Sequence, residues 1–178
     1  GFAVTGVDFS PKMVAKAREL SGDPPNLQFI EADAREMELN QSFDAALSLC
    51  EGGVGLLESG EDAEAHDRAI FRSIAAHLRP NAMNGYAPIR RMTMQGVFAG
   101  QFDPATMRSR YEDVWDLPGG ETPIRIEERL FIPPEMTRLL EAEEFRVDRV
   151  LGGTAGHWGA RPLDLDEVEA MFVCRRSG

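Results

Sequence analysis

Basic charge is what this sequence is short of. It carries 19 Lys and Arg against 30 Asp and Glu, a formal net charge of −11. A nucleic-acid binder needs a basic surface to neutralise phosphates, and only short clusters such as Arg90-Arg91 are present. Nucleic acid is therefore not an expected partner, and an anionic membrane surface is disfavoured for the same reason. Long hydrophobic runs are also missing. None approaches the roughly 20 residues of a membrane span, and no signal peptide is visible. Cysteine is scarce: Cys50 and Cys174 lie in apolar, strand-like runs where reduced thiols are expected. The three histidines are scattered, so no Cys/His spacing suits a metal. There is no Gly-x-Ser-x-Gly elbow and no phosphate-binding loop. The expected setting is the cytoplasm.

What is present reads as one soluble domain over residues 1–178, with 43% hydrophobic and 28% charged residues. Phe2, Val4 and Val7 form a strand that ends in Asp8. Ser10 then caps a helix that Pro11 opens, with Met13, Val14, Ala17 and Leu20 at helical spacing. "LQFIEAD" is a second buried strand, ending in Asp33, and "FDAALSLCEGG" is a third. A helix over 62–78 presents Ile70, Phe71, Ile74 and Leu78 on one face and stops at Arg79-Pro80. "IRIEERLFI" reads as a strand and "PEMTRLLEAEEF" as a helix with Pro134 in its first turn. "RVDRVLGG" and "EAMFVCRR" are the closing strands. The alternation predicts an α/β fold, a doubly wound and mostly parallel sheet. Two details interrupt it. No strand and glycine-rich turn precede the first element. After "LRP" the chain passes to "NAMNGYAPIRR", which does not read as a buried strand, so Pro80 and Asn81 are not expected to be natural neighbours.

In a parallel α/β sheet, ligands sit at the C-terminal tips of the strands. Asp8 at such a tip can accept from the vicinal hydroxyls of a ribose, or it can simply cap the helix beside Ser10. Asp33, at the next tip, can accept from the exocyclic amine of an adenine, or be a loop acid. Phe9, Met13 and Ala34 offer apolar surface beside them, and Ser10 belongs to the same cofactor site. Cys50 and Glu51 close the third tip. Cys50 also suits a small buried hydrophobe.

These stretches, "VTGVDFSPKMVAKAREL", "LQFIEADAREM", "FDAALSLCEG", "IFRSIAAHLRP" and "RLLEAEEFRV", resemble the class I S-adenosylmethionine-dependent methyltransferases. The resemblance covers about 1–80 well and 125–178 loosely. It implies a Rossmann-like methyltransferase fold with S-adenosyl-L-methionine as cofactor. The first strand, with its glycine-rich turn, would then lie upstream of Gly1, and the fifth would be lost after Pro80. The resemblance carries the ribose role to Asp8, the adenine role to Asp33, and the methionine end to Cys50 and Glu51. "EAEEF" departs from the family's small-residue-plus-glycine helix ending, which bears on capping. The implied activity is methyl transfer to a small molecule. A nicotinamide-dependent oxidoreductase and a non-catalytic scaffold are the alternatives.

On the substrate side, the resemblance places an insertion over the active-site mouth at 81–123, with Tyr86, Arg90 and Trp115 to line it. The strand at 146–151 should run parallel to the others, which brings "GGTAGHWG" to the ligand edge. His157 is the candidate base there and Trp158 the candidate wall. His66 and His77 are read as solvated or packing, on a helix away from the tips. A homodimer is left open.

Overall fold

The computed structural model describes residues 1–22, 24–48, 53–86, 97–117, 120–153, 157, 161–164, 167 and 169–178. The first strand, β1 (Val4–Asp8), feeds helix α1 (Pro11–Ser21). Ser10 has extended backbone and its hydroxyl accepts from Met13 N at 3.4 Å. Gly22, at φ 68°, ends the helix in the left-handed region that glycine enters without a Cβ clash. Strand β2 (Leu27–Glu31) returns parallel to β1, with Asp8 opposite Glu31.

A five-stranded sheet forms the centre of the molecule. Strand β3 (Phe43–Ser48) pairs in parallel with β5 (Leu78–Tyr86) across helix α2 (Ala63–Ala76). Helix α3 (Pro133–Ala142) leads into β9 (Phe145–Gly153), whose far edge carries the short β10 (Arg161–Pro162). Strand β11 (Glu169–Arg176) inserts between β5 and β9, antiparallel to both. The expected mostly parallel sheet is thus corrected to a mixed one. The chain returns from β9 by way of the short β10 and comes back as β11, antiparallel to β9. β9 nevertheless runs in the direction of β5 and β3, because two antiparallel steps restore it.

The expected loss of a strand after Pro80 is also corrected: Ala82–Tyr86 occupies that place beside β3. The sequence signal was disturbed because the pairing is irregular there. β5 advances five residues, Leu78 to Met83, while β3 advances two, Phe43 to Ala45. Pro80 has no N–H to give a ladder, and Asn81 turns through φ 64°. Small residues, Ala82 and Gly85, then fill the buried positions.

The core lies between this sheet and the two helices α2 and α3. Ile70, Phe71 and Ile74 meet Met136, Leu139, Leu140, Phe145, Phe172 and Cys174, all buried. Burial raises the Cys174 pKa to about 12, so its thiol stays protonated. By contrast α1 buries only Val14. Among the described residues β1 pairs only with β2, and β3 only with β5. Val4 and Leu47 on those strands are 49% and 74% exposed.

A four-stranded antiparallel sheet makes a separate layer. It is a hairpin of β7 (Arg108–Leu117) and β8 (Gly120–Arg129), flanked by β4 (Leu56–Leu57) and β6 (Phe102–Asp103). Most of it falls within 81–123, the segment expected to cap the mouth, while residues up to 86 belong to the central sheet.

Candidate functional site

Asp8 ends β1, and Asp33 follows the end of the neighbouring parallel strand β2 by two residues; the paired strands lie roughly 4.8 Å apart. Ala32 N donates to Asp8 O at 3.1 Å, which holds the two tips together. One carboxylate oxygen of Asp8 accepts from Ser10 N at 2.8 Å, so the helix-capping role is real. Its other oxygen has no partner among the described residues and can accept from a ligand. Beside it Phe9 and Met13 are 78% and 59% exposed, an apolar surface with nothing described against it.

Asp33 is more engaged than its sequence position suggested. Oδ1 accepts from Arg35 N at 2.8 Å and from Arg35 Nε, and Oδ2 accepts from Nη2 at 2.6 Å. The Arg35 hydrogen bond holds the Asp33 carboxyl below the usual carboxylate range, with a smaller contribution from His66. Arg35 also reaches Glu61 at 3.0 Å. Arg35 and Glu61 were not singled out from the sequence, though Arg35 stands inside the quoted "EADAREM". Ala34 lies between Asp33 and Arg35 and is partly buried against the core.

The two sheets meet at both ends. Gln41 Nε2, before β3, donates to the Thr5 hydroxyl at the start of β1. Glu61, before α2, meets Arg35, after β2. β1 and β3 therefore point the same way, and Asp8, Asp33 and the end of β3 share one edge. Cys50, Glu51, Arg90 and Trp158 lie outside the described residues, and of Tyr86 only the backbone is described. His157 follows β9, which runs with β3, and it is exposed. Trp115 is 46% exposed on β7, its indole N–H donating to Asp113 at 3.0 Å.

Of the two readings of His66, solvated or packing, the structure gives packing: its side chain is 7% exposed, and Nδ1 lies 2.9 Å from Asp67 Oδ1. Asp67 is fully buried; Oδ1 also accepts from Gly55 N at 2.9 Å, and Oδ2 has no partner among the described residues. A sequence signal existed: Asp67 occupies the apolar face of α2 between Ala63 and Ile70–Phe71. His77 is structural, with Nε2 accepting from Leu39 N at 2.9 Å and Nδ1 bonded to Ser73 O.

Two acids thus stand at neighbouring strand tips of an α/β sheet, with the exposed apolar side chains of Phe9 and Met13 beside Asp8. The comparisons sharpen this. The family described as "Methyltransferase domain" matches residues 1–81, a match that ends at the irregularity in β5. The CcbJ methyltransferase from Streptomyces caelestis superposes with a TM-score of 0.75 at 15% identity, over 99% of this chain and 75% of that one. An S-adenosylmethionine-dependent methyltransferase from Clostridium acetobutylicum gives 0.68 at 10% identity, over 98% and 75%. CalS10 from Micromonospora echinaspora, an amino pentose methyltransferase with bound S-adenosylmethionine, gives 0.60 at 19%, over 98% and 74%. No curated protein matches the sequence. Residues 1–81 are thus similar to the methyltransferase-domain family, and the described chain has the fold of S-adenosylmethionine-dependent methyltransferases.

Proposed function

We propose that the protein transfers the sulfonium methyl of S-adenosylmethionine to a nucleophilic O, N or C of a small-molecule acceptor. The pair of acids at neighbouring strand tips, Asp8 and Asp33, carries this reading. The free oxygen of Asp8 takes the ribose hydroxyls, while Phe9, Ser10, Met13 and Ala34 flank the nucleoside. Asp33 takes the adenine amine by sharing the carboxylate oxygens that Arg35 already binds. Cys50 and Glu51 border the methionine end. The cofactor supplies an electrophilic methyl, which leaves sulfur for the acceptor's lone pair and yields S-adenosylhomocysteine. The chain's own work is alignment and exclusion of water, which can account for most of the acceleration in such a transfer. Where the acceptor must lose a proton, His157 is the base, with Tyr86, Arg90 and Trp158 as the substrate wall. Relatives in fold that act on an amino pentose and on a glycopeptide support an acceptor of modest size.

The same reading has a further parallel strand, from outside residues 1–178, pairing between β1 and β3. The two unpaired ladder edges and the exposed Val4 and Leu47 support it.

Calorimetric titration of S-adenosylmethionine, S-adenosylhomocysteine and NAD tests the proposal. Binding of both sulfur ligands and not NAD is expected, followed by S-adenosylhomocysteine formation with an acceptor pool. Binding of NAD alone would move the protein to the oxidoreductases. Binding of none would leave a scaffold.

A further inference from the structure

We infer that Arg35 is a positioning residue that couples the acid at the β2 tip to the antiparallel cap sheet, through Glu61 and Arg108. The inference rests on the reading of Asp33 as the adenine acid.

Arg35 is the only described side chain that bonds both Asp33 and Glu61, and its planar fork suits the task. Glu61 sits in the turn that enters α2. Its Oε2 accepts from Glu58 N at 3.0 Å while Glu58 O accepts from Glu61 N, so the turn is held from within. The carbonyl of the same Glu61 accepts from Arg108 Nη2 at 2.7 Å. Arg108 opens β7 and is paired with Glu127 of β8, which also takes Arg110 at 2.8 Å. Asp33, Arg35, Glu61, Arg108 and Glu127 thus form one unbroken chain of contacts, ionic at every link but the Glu61 carbonyl.

The far end of that chain is well anchored. The Glu127 side chain is 6% exposed and that of Arg108 is 18% exposed. A buried carboxylate that loses its partner is strongly disfavoured, so Arg108 stays with Glu127 and moves with the sheet. The near end is adjustable, because Arg35 is 39% exposed. Arg35 already crowds both oxygens of Asp33. An amine donor that arrives at Asp33 must share them, and the guanidinium then shifts toward Glu61. That shift bears on the turn carrying the Arg108 contact. A ligand that changes this contact must in turn be bound differently when the contact is missing, since coupling is reciprocal. Spatial continuity alone does not establish coupling, so the measurement has to be energetic.

S-adenosylhomocysteine is titrated calorimetrically into the full-length protein, into Arg35→Ala, into Arg108→Met and into the double variant. Arg108 lies on β7 and is assigned no contact with the ligand, yet Arg108→Met should weaken binding roughly 3- to 10-fold. The double variant should bind more tightly than the product of the single effects predicts. Hydrogen exchange at Arg108–Val114 should slow on adding the ligand to wild type and not to Arg35→Ala. Should Arg108→Met fold poorly, Glu61→Gln breaks the chain at its middle and should act in the same direction. If wild type binds but both variants stay within about twofold of it, the coupling is absent and the functional reading survives. If wild type does not bind, the functional reading fails and takes this one with it.

Discussion

The carboxylate of Asp67, inside α2, accepts the backbone N–H of Gly55 at 2.9 Å. A buried helix residue thereby fixes the turn that leaves β3, and Gly55 joins that turn to the cap sheet. Its carbonyl accepts from Arg129 N at 2.8 Å, and a Cβ on it would stand 2.6 Å from Arg129 O. Gly55 also has φ 78°.

Gly55→Ala should therefore destabilise the protein on two counts, a left-handed backbone and a backbone clash. The strain costs about 1–2 kcal/mol for the dihedral alone. Thermal unfolding should drop by roughly 2–8 °C, and hydrogen exchange should quicken first at β4 and at the base of β8. An unchanged melting temperature would mean that the turn relaxes freely.

Asp8→Ala should weaken S-adenosylhomocysteine binding by about 2–3 kcal/mol, since hydrogen bonds to a charged group contribute about 1.5–3 kcal/mol each and water partly replaces them here. That corresponds to about 30- to 150-fold in the dissociation constant measured by calorimetry. Asp33→Asn should cost less, because an amide oxygen can still accept from an amine. Equal binding by wild type and Asp8→Ala would displace the ribose from this tip.

Acid should loosen the α2–α3 contact. Glu143 is 5% exposed and binds Arg68 at 2.6 Å and Arg72 at 2.9 Å. Burial works against its charge, but hydrogen bonds from Arg72 and Arg68 outweigh it and hold the carboxyl below the ordinary glutamate range. A depressed folded pKa gives stability that is fully present above the unfolded value of about 4.3 and lost as pH falls through the folded value. The urea midpoint should therefore decline below about pH 4.3, and Glu143→Gln should flatten part of that decline. An identical pH profile in the variant would assign the acid transition to other groups.

The next residue offers a stabilising change. Glu144 follows α3 with φ 66°, where glycine is favoured, and its side chain reaches Arg176 only at 3.6 Å on the surface. Glu144→Gly should relieve about 1–2 kcal/mol of strain, offset by about 0.5–1 kcal/mol of added unfolded-state entropy. A gain of up to about 1 kcal/mol in denaturant unfolding is expected. A loss of stability would show that the Arg176 contact outweighs the strain.

Most of the elements, and the placing of Asp8 and Asp33 after neighbouring strands, were legible in the sequence because both depend on near neighbours. Ser10, Pro11 and the 3.6-residue spacing of Met13, Val14 and Ala17 act within a few residues of chain, and α1 forms where they put it. The apolar runs ending in Asp8 and Asp33 became adjacent parallel strands, so the two acids came together. Partners distant in the chain were settled by tertiary structure. The antiparallel place of β11 between β5 and β9, and the strand made by residues 82–86 between β3 and β11, are set by pairing with partners far along the chain. Arg35 looked like one charge among many until the fold brought Glu61 to it. Asp67 broke the apolar pattern of α2, and only the returning turn at Gly55 supplied the N–H that makes a buried acid tolerable. Spacing along a chain encodes periodicity and caps. Hydrogen-bond partners many residues away are set by how the layers close.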